Sequence, residues 1–460
     1  MGYYDVTPPE DLSQILEALP KLTGYDQLQQ ALDLADYDPL FDTLRAYNYT
    51  GRPPYPVDAM YRAILSRYLL SIPDASKLVD RLRIDPRLRE ICRLGDRVPS
   101  ESMISRFFKR LSAHVDLIYQ SIIDTIDRLA RLIDNQRKFD DYSVGSIIAI
   151  DSTHVPTFAH PRRDPPTDPD ARWGHKTSHR TKDGTNVEYT FGYKVHQVND
   201  AVYGIPLTNI LLPANASDSP QLPKLVKKAL AEHRWLDPEY AVCDKGYDST
   251  KNYKFLDDRM IAPIILIRDT YKKGDLYDSK GRPICIGNQP MQYVETYPER
   301  GHLFRCNPEG CHLKNQLAFS LYCRDTCYEN SDESAEILRK VGRIARASRE
   351  FRDIYRYRQS IERYFGSNKR SRLLDQHRYR SMTKINLHVA LATLTYVVTM
   401  LAHVLMGNID GMRQMRIRLP KQPSVDERGS HAAASSSASF FSCLQSLTIC
   451  WRRCCNAMCI

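Results

Sequence analysis

The chain lacks several features that would assign it to a class at once. Residues 1–5 contain neither a basic residue nor an apolar run, so no secretory signal or transit peptide is predicted, and we expect a cytoplasmic protein. No internal repeat is present. The twelve cysteines include no C-x-x-C pair, and in a cytoplasmic protein they argue against a disulfide framework.

Long apolar runs are scarce as well. One stretch, residues 385–406, has the length of a membrane span, but it contains Asn386, His388 and His403 together with four threonines or tyrosines. These polar residues favour a buried core helix over a membrane-spanning helix. We therefore expect no association with a membrane.

Charge is distributed unevenly along the 460 residues. The whole chain has a net charge of +10, whereas residues 339–384 alone contain 15 basic and four acidic residues, a net charge of +11. Such a segment suits a polyanion, because Lys and Arg displace the counterions condensed on phosphates. The content of 42% hydrophobic and 26% charged residues is ordinary for a globular protein of two or three domains.

Four residues of the basic segment form a spaced pattern. Tyr355, Arg358, Glu362 and Lys369 follow one another at steps of three, four and seven residues. In an α-helix this spacing places them within about 60° of arc, on one side. A metal-binding acid beside phosphate-binding cations suits cleavage of a nucleic-acid backbone. An exposed helix in which Glu362 is paired with Arg358 across one turn has the same pattern.

Two further acids end apolar strands. Residues 146–151 predict a strand ending at Asp151, and residues 239–244 predict a short buried strand ending at Asp244. Side chains at strand ends project into a shared crevice at the sheet edge. With Glu362 they form a set of three carboxylates that suits Mg²⁺ or Mn²⁺, and two such ions would activate a water or 3′-hydroxyl for displacement at phosphorus. Taken singly, a strand-end Asp is more often structural.

The remaining pattern predicts helices and strands around one core. The first 50 residues are acidic and are expected to be irregular, and short helices separated by Pro73 and Pro86 should follow. Further helices are predicted over residues 114–135 and 222–233, and further strands over residues 189–198, 203–212 and 262–267. This mixture is typical of an α/β domain.

One N-terminal helix is a candidate for DNA binding. It begins at the capping residue Ser100 and presents Arg106, Lys109 and Arg110. It resembles the second helix of a helix-turn-helix, which lies in a groove of duplex DNA. A plain helical bundle accounts for the same residues equally well.

A segment in the middle of the chain, residues 268–334, is rich in Gly, Pro, Tyr and Cys and predicts an inserted β-rich module. Two cysteine pairs within it could close a tetrahedral zinc site. The candidate ligands are Cys306, Cys311, Cys323 and Cys327, with His302 or His312 as substitutes. Reduced thiols packed in a small subdomain are the alternative.

Several motifs together resemble the bacterial insertion-sequence DDE transposases. They lie at residues 150–153, 191–196, 213–218, 243–247 and 355–369. The last of them matches the family's Y-x2-R-x3-E-x6-K signature without a gap. Residues 55–111 also resemble the helical domain of the InsH-like branch, so the resemblance covers residues from about 50 to about 405.

The resemblance implies an RNase H-like catalytic domain that cuts transposon ends and joins them to target DNA. It implies that Asp151, Asp244 and Glu362 are the catalytic, metal-binding acids. It also implies that Tyr355, Arg358 and Lys369 contact DNA phosphates near the cleaved end, in keeping with their chemistry. A homodimer or higher oligomer on paired DNA ends follows by analogy.

One feature departs from some relatives, which use a tryptophan of the insertion to trap a flipped base while they form a DNA hairpin. Here Trp173, Trp235 and Trp451 all lie outside the insertion. The route of excision, by a hairpin or otherwise, is therefore left open.

The predicted organisation has five parts. They are an all-helical DNA-binding domain at 1–120, an RNase H-like α/β core at 121–267 and 335–410, an inserted Cys-rich subdomain at 268–334 and a disordered tail at 411–460. The predicted function is a nucleoid-associated transposase that binds terminal inverted repeats and performs Mg²⁺- or Mn²⁺-dependent cleavage and strand transfer. The alternatives are a structure-specific RNase H-like nuclease and a catalytically inactive DNA-binding derivative.

Overall fold

The computed structural model describes residues 24–46, 54–136, 142–163, 165–181, 184–268, 276–278, 280–298, 300–306, 320–323, 338–413 and 417–419. Its contacts divide the chain into one unit over Met1–Arg418 and a second over Leu419–Ile460. All but a few residues of the predicted tail lie outside the described ranges, as do Cys311, His312 and Cys327 of the zinc hypothesis. The domain boundaries stay predictions.

Helices dominate the first part of the described chain. They are α1 Gly24–Ala35, α2 Asp38–Arg45, α3 Val57–Leu69, α4 Ala75–Ile84, α5 Pro86–Ile91, α6 Glu101–Ser112 and α7 Val115–Gln136. Side-chain caps fix where two of them begin, because Asp74 and Ser100 accept hydrogen bonds from the backbone N–H groups of Lys77 and Met103. The predicted helices of this region, including the long one, are confirmed.

The prediction of irregular structure in the first 50 residues is wrong over residues 24–45. Helix α1 buries Leu28, Ala31, Leu32 and Ala35, which recur at steps of three and four residues. The prediction followed the acidic composition of the segment and did not take this short apolar stripe into account. Burial of the stripe against the rest of the fold stabilises a helix that would be marginal alone.

A six-stranded mixed sheet follows the helices. Its strands are β1 Ile147–Pro156, β2 Arg172–Thr181, β3 Gly184–Asp200, β4 Pro206–Pro213, β5 Tyr240–Cys243 and β6 Ala262–Ile265. The order is β2-β3-β1-β5-β6, and β4 also pairs with β3. Strands β1, β5 and β6 are parallel, whereas β1, β2 and β4 all run antiparallel to β3. The structure adds β2, which was not predicted, and confirms the other strands.

The two faces of the sheet are covered by helices. On one face Tyr193 and Val195 of β3 pack in an apolar cluster with Ile385 and Val389. The last two belong to α12, Met382–Leu405. Helix α8, Leu222–Glu232, packs against β3 and β4, and α9, Thr250–Asp257, packs against β6. The sheet is thus enclosed on both sides, as in other layered α/β proteins.

Helix α12 is a core helix, as the sequence predicted. It has the length and hydropathy of a membrane span, but 94% of its most apolar window is buried inside the protein. Its polar residues have partners, since His388 Nδ1 lies 2.8 Å from the Tyr68 hydroxyl and Asn386 Oδ1 accepts a hydrogen bond of 2.8 Å from Tyr119. Helices α1, α3, α6 and α7 and strand β4 all pack against α12.

The predicted insertion contains a small antiparallel sheet. Its strands are β7 Gln292–Tyr297, β8 Gly301–Arg305 and β9 Ser320–Cys323, in that order. Phe304 of β8 packs in an apolar cluster with Cys285, Met291 and Val341, the last of which belongs to the following segment. The β-rich character of this segment is confirmed.

The zinc hypothesis gains no support from the described part of the insertion. No group of three or more metal-ligand side chains occurs among the described residues. His302 is buried, and its two ring nitrogens lie 2.8 Å from the Thr296 hydroxyl and 2.9 Å from the Gly342 carbonyl oxygen. His302 is therefore already engaged, and the four-cysteine site stays a prediction.

Candidate catalytic site

The register between two parallel strands places Asp151 beside Asp244. Ile150 of β1 pairs with Cys243 of β5, and the next residue on each strand is the acid. Neighbouring strands lie about 4.8 Å apart, so the two side chains leave the sheet side by side. Two residues that are 93 positions apart in sequence thus meet on one face of the sheet. Only Asp244 directly follows its strand as predicted. The strand of Asp151 does not end there but continues to Pro156, because its pairing with β3 extends that far.

The electrostatics of this pair favour a bound cation. The pKa of Asp151 is raised to about 7, mainly by burial and in smaller part by the neighbouring charge of Asp244. The backbone N–H of Ser152, which donates to Asp151 Oδ1 at 2.7 Å, lowers the pKa, as do Arg358 and Lys176. A carboxylate that holds its proton near neutral pH beside a second carboxylate fits a site for a divalent cation, whose charge would replace that proton.

Glu362 belongs to a helix that packs against the strand of Asp151. Helix α11, Gln359–Ser371, buries Ile361 and Tyr364 and packs against β1. Glu362 lies on its more exposed side, where its carboxylate accepts from Arg358 Nη2 at 2.9 Å. The ion pair between Glu362 and Arg358 that the spacing also allowed is thus present.

Arg358 connects the three acids. Burial lowers the pKa of its guanidinium, but Tyr355, Glu362, Asp151 and Asp244 together raise it above the ordinary value. All three carboxylates therefore act on the charge of one guanidinium, and Glu362 pairs with it directly. They do not form a ready metal cage, because no group of three metal-ligand side chains is close enough within the described ranges. The Glu362 side chain is 49% exposed, and such pairs contribute only about 0–1 kcal/mol, so Glu362 can leave Arg358 at little cost.

The helix that carries the signature is interrupted, contrary to the prediction of one α-helix. Helix α10, Arg349–Tyr355, is followed by a 3₁₀ turn, Arg356–Arg358, before α11 begins. The turn winds the chain more tightly than an α-helix and changes the direction of Tyr355 relative to Glu362. Tyr355 nevertheless faces the site: burial raises the pKa of its phenol, Arg358 lowers it, and Asp244 and Glu362 raise it.

Lys369 lies two helical turns beyond Glu362, about 10 Å along the axis of α11. Its ammonium group is 3.9 Å from the Asp375 carboxylate. The structure thus brings three of the four signature side chains together and places Lys369 further along the same helix.

Comparison with family models places the chain in a class. A model described as a transposase DDE domain matches residues 142–398, more than half of the chain, and this range contains all three acids. The chain belongs to the DDE transposase-domain family. A second model, described as a transposase domain, matches residues 13–110.

Two individual proteins are similar to this DDE-family chain. A Burkholderia cepacia protein assigned as a transposase for insertion sequence element IS402 is 38% identical over 106 residues, which are 22% of this chain and 47% of that protein. The match thus spans about half the length of this relative. The cryo-EM structure of the piggyBac transposase synaptic complex with hairpin DNA has 11% identity and a TM-score of 0.35, covering 85% of this chain and 78% of that chain. A score this low does not establish a common fold.

The second matched range includes most of the candidate DNA-binding helix α6, up to Arg110. Arg106 and Lys109 are exposed, whereas Arg110 is only partly exposed. The opposite side of α6 is buried, and Phe108 stacks on Tyr379 with ring centroids 4.3 Å apart. The predicted basic face is thus formed mainly by Arg106 and Lys109.

Sequence reasoning used the motifs at residues 191–196 and 213–218 for their resemblance but missed the contacts among their polar residues. Lys194 and His196 are buried in β3, and Asp218 lies in the loop after β4. Burial lowers the pKa of His196 to about 4 against the effect of Asp218, so the ring is neutral. A lysine and a histidine at buried positions of a predicted strand were the available signal, because charged side chains are rarely buried without a partner.

Proposed function

We propose that the protein is an insertion-sequence DDE transposase that binds terminal inverted repeats and catalyses metal-dependent DNA cleavage and strand transfer. The observation that carries the proposal is the strand register that sets Asp151 beside Asp244, within the range that matches the family's DDE domain. An RNase H-like core agrees with this sheet, in which antiparallel strands β4, β3 and β1 are followed by parallel strands β5 and β6.

Asp151, Asp244 and Glu362 would hold Mg²⁺ or Mn²⁺, since all three are hard oxygen donors. The bound ion would polarise the phosphate and activate the attacking water or 3′-hydroxyl. Without its ion pair to Glu362, the Arg358 guanidinium would be available to bind a DNA phosphate. Tyr355 and Lys369 would contact further phosphates.

The rest of the proposal concerns partners. The net charge of +11 over residues 339–384 and the exposed Arg106 and Lys109 support binding of duplex DNA. We propose a homodimer or higher oligomer on paired ends, because joining two ends to one target requires two active centres. Zinc binding by Cys306, Cys311, Cys323 and Cys327 is retained as a proposal for the insertion.

The decisive experiment uses labelled terminal-repeat DNA, a target plasmid and Mg²⁺ or Mn²⁺. We expect cut ends and joined products from the unmodified chain, and a loss of about 10³-fold in both from Asp244→Asn and Asp151→Asn. Loss of a metal ligand removes several kcal/mol of transition-state stabilisation. The matched control, Asp258→Asn at an exposed position after α9, should keep full activity.

Each alternative gives a different result in this experiment. A structure-specific nuclease would leave cut ends without joined products. A catalytically inactive DNA-binding derivative would retain the labelled DNA in a binding assay without cutting it. If Asp244→Asn cleaved as fast as the unmodified chain, the assignment of the site would be wrong.

A further inference from the structure

A polar network surrounds Asp218 on the face of the sheet that α8 covers. Asp218 Oδ1 accepts hydrogen bonds from Ser152 Oγ at 2.8 Å and from Lys194 Nζ at 3.2 Å. Lys194 also donates to the Ala216 carbonyl at 2.9 Å, and His196 Nδ1 lies 3.5 Å from the same Asp218 oxygen. The loop after β4 is thus tied to the residue that directly follows Asp151.

The same loop is tied to the other strand end. Asn252 of α9 is 2% exposed, and its side-chain amide donates to the Ser219 carbonyl at 3.0 Å and to the Tyr247 carbonyl at 2.8 Å. Tyr247 ends the short 3₁₀ turn that directly follows Asp244. Side-chain hydrogen bonds therefore run from the Asp151 strand through residues 216–219 to the Asp244 turn.

These bonds lie where the backbone no longer joins the two strands. In the described register, the pairing of β1 with β5 ends at Ile150 and Cys243, one residue before each acid. Beyond that level no β1–β5 backbone pairing fixes the separation of the two like-charged carboxylates. Another set of contacts must hold them at a fixed separation, since a misplacement of about 1 Å can cost about 100-fold in rate.

We infer that residues 216–219 form a brace that sets the distance between Asp151 and Asp244, with Asp218 as the positioning residue. Asp218 acts through Ser152 and does not touch the reacting atoms. The inference rests on the proposed function, because it explains how the two acids are held ready for a divalent cation. The brace belongs to the protein without DNA, so it can be tested on metal binding alone.

The first test measures the affinity of the DNA-free protein for Mn²⁺ by electron paramagnetic resonance. Ser152→Ala and Asp218→Ala should each weaken Mn²⁺ binding by about 10-fold to 100-fold, the order of effect known for residues that orient metal ligands. Ser152→Ala removes one hydroxyl, so it tests the brace even if Asp218→Ala fails to fold because Lys194 loses its counter-charge. Unchanged Mn²⁺ affinity in Ser152→Ala would overturn the inference.

A double-mutant cycle tests whether Ser152 and Asp218 affect Mn²⁺ affinity through their shared hydrogen bond or independently of each other. Because both substitutions break the same hydrogen bond, the combined variant should bind Mn²⁺ no more weakly than the worse single variant. Additive losses would mean that Asp218 does not act through Ser152. Glu232→Gln is the matched control, since it removes an ion pair of 2.9 Å with Lys228 on α8 and touches neither strand end.

Cleavage kinetics supply the second readout. The brace variants should lower kcat about 10-fold or more while KM for terminal-repeat DNA stays within about twofold, because positioning of the acids matters in the transition state. A rise in KM of similar size with unchanged kcat would contradict the brace. If the unmodified chain neither cut nor joined DNA, the proposed function would fail, and the Mn²⁺ cycle would still decide the brace.

Discussion

At the scale of single residues, the segment after α11 contains two histidines kept neutral by their surroundings. Burial and the nearby charge of Arg67 lower the pKa of His377 to about 4, and burial holds the pKa of His388 well below its usual range. His377 Nδ1 accepts from the backbone N–H of Tyr379 at 3.1 Å, a bond that requires an unprotonated nitrogen. Protonation of either ring at low pH would therefore destabilise the folded protein.

His377→Asn should reduce the pH dependence of stability. An unfolded histidine takes up a proton near pH 6.5, whereas His377 in the folded protein does so only near pH 4. Its contribution is therefore complete above pH 6.5 and is lost as the pH falls towards 4, by up to about 3 kcal/mol. Urea unfolding between pH 7 and 4 should show a shallower decline in the variant, and parallel curves would contradict this explanation.

The sequence identified the acids better than their partners. Asp151 and Asp244 were predictable because each follows an apolar run, and Glu362 because its spacing to Arg358 is helical. Asp218 is 66 residues from Ser152, and no local pattern links a loop residue to a strand residue at that distance. The ion pair between Arg358 and Glu362 was left open because helix spacing permits the contact without requiring it.

At the scale of elements, α6 presents the exposed basic residues Arg106 and Lys109 on one side. The double variant Arg106→Gln and Lys109→Gln should weaken binding to terminal-repeat DNA and reduce the slope of log affinity against log salt by about 2, because two phosphate contacts are removed. Fluorescence anisotropy at several salt concentrations measures this slope. Lys254→Gln, an exposed lysine of α9, is the control; an equal effect there would leave α6 without a special role.

Element types could be predicted where apolar spacing was long and regular, as in α7, β1 and α8. The 3₁₀ turn between α10 and α11 could not, since 3₁₀ and α segments share nearly the same sequence preferences. Strand β2 was missed because its residues are mostly polar or charged. It pairs only with β3, which leaves little apolar patterning to detect.

At the scale of the whole molecule, α12 is shared by the helical region and the sheet. Val397→Asp would bury a charge at a position that is 0% exposed, and it should destabilise the fold by at least about 3 kcal/mol. Because both regions depend on α12, far-ultraviolet circular dichroism and tryptophan fluorescence should report one lowered transition. Thr383→Asp, at an exposed position in the first turn of α12, should have little effect. Two separate transitions would contradict the shared core.

The five predicted segments followed changes in composition, which reveal where a chain changes character but not which surfaces meet. The polar residues of α12 favoured a core helix over a membrane span, and the structure shows their role: His388 and Asn386 bond to Tyr68 and Tyr119 of preceding helices. Contacts of this kind join residues about 270 to 320 positions apart. They depend on the assembled fold and leave no local signature.

The position of α12 also limits how such a protein can be re-engineered. A chimera could take the helices before β1 from one protein and everything after them from another. Its N-terminal helices would then pack unmatched side chains against α12. Moving α12 together with the foreign helices would preserve the contacts between them but disturb the contacts of α12 with the sheet. Substituting outward-facing residues in place therefore disturbs the fold less than exchanging whole modules.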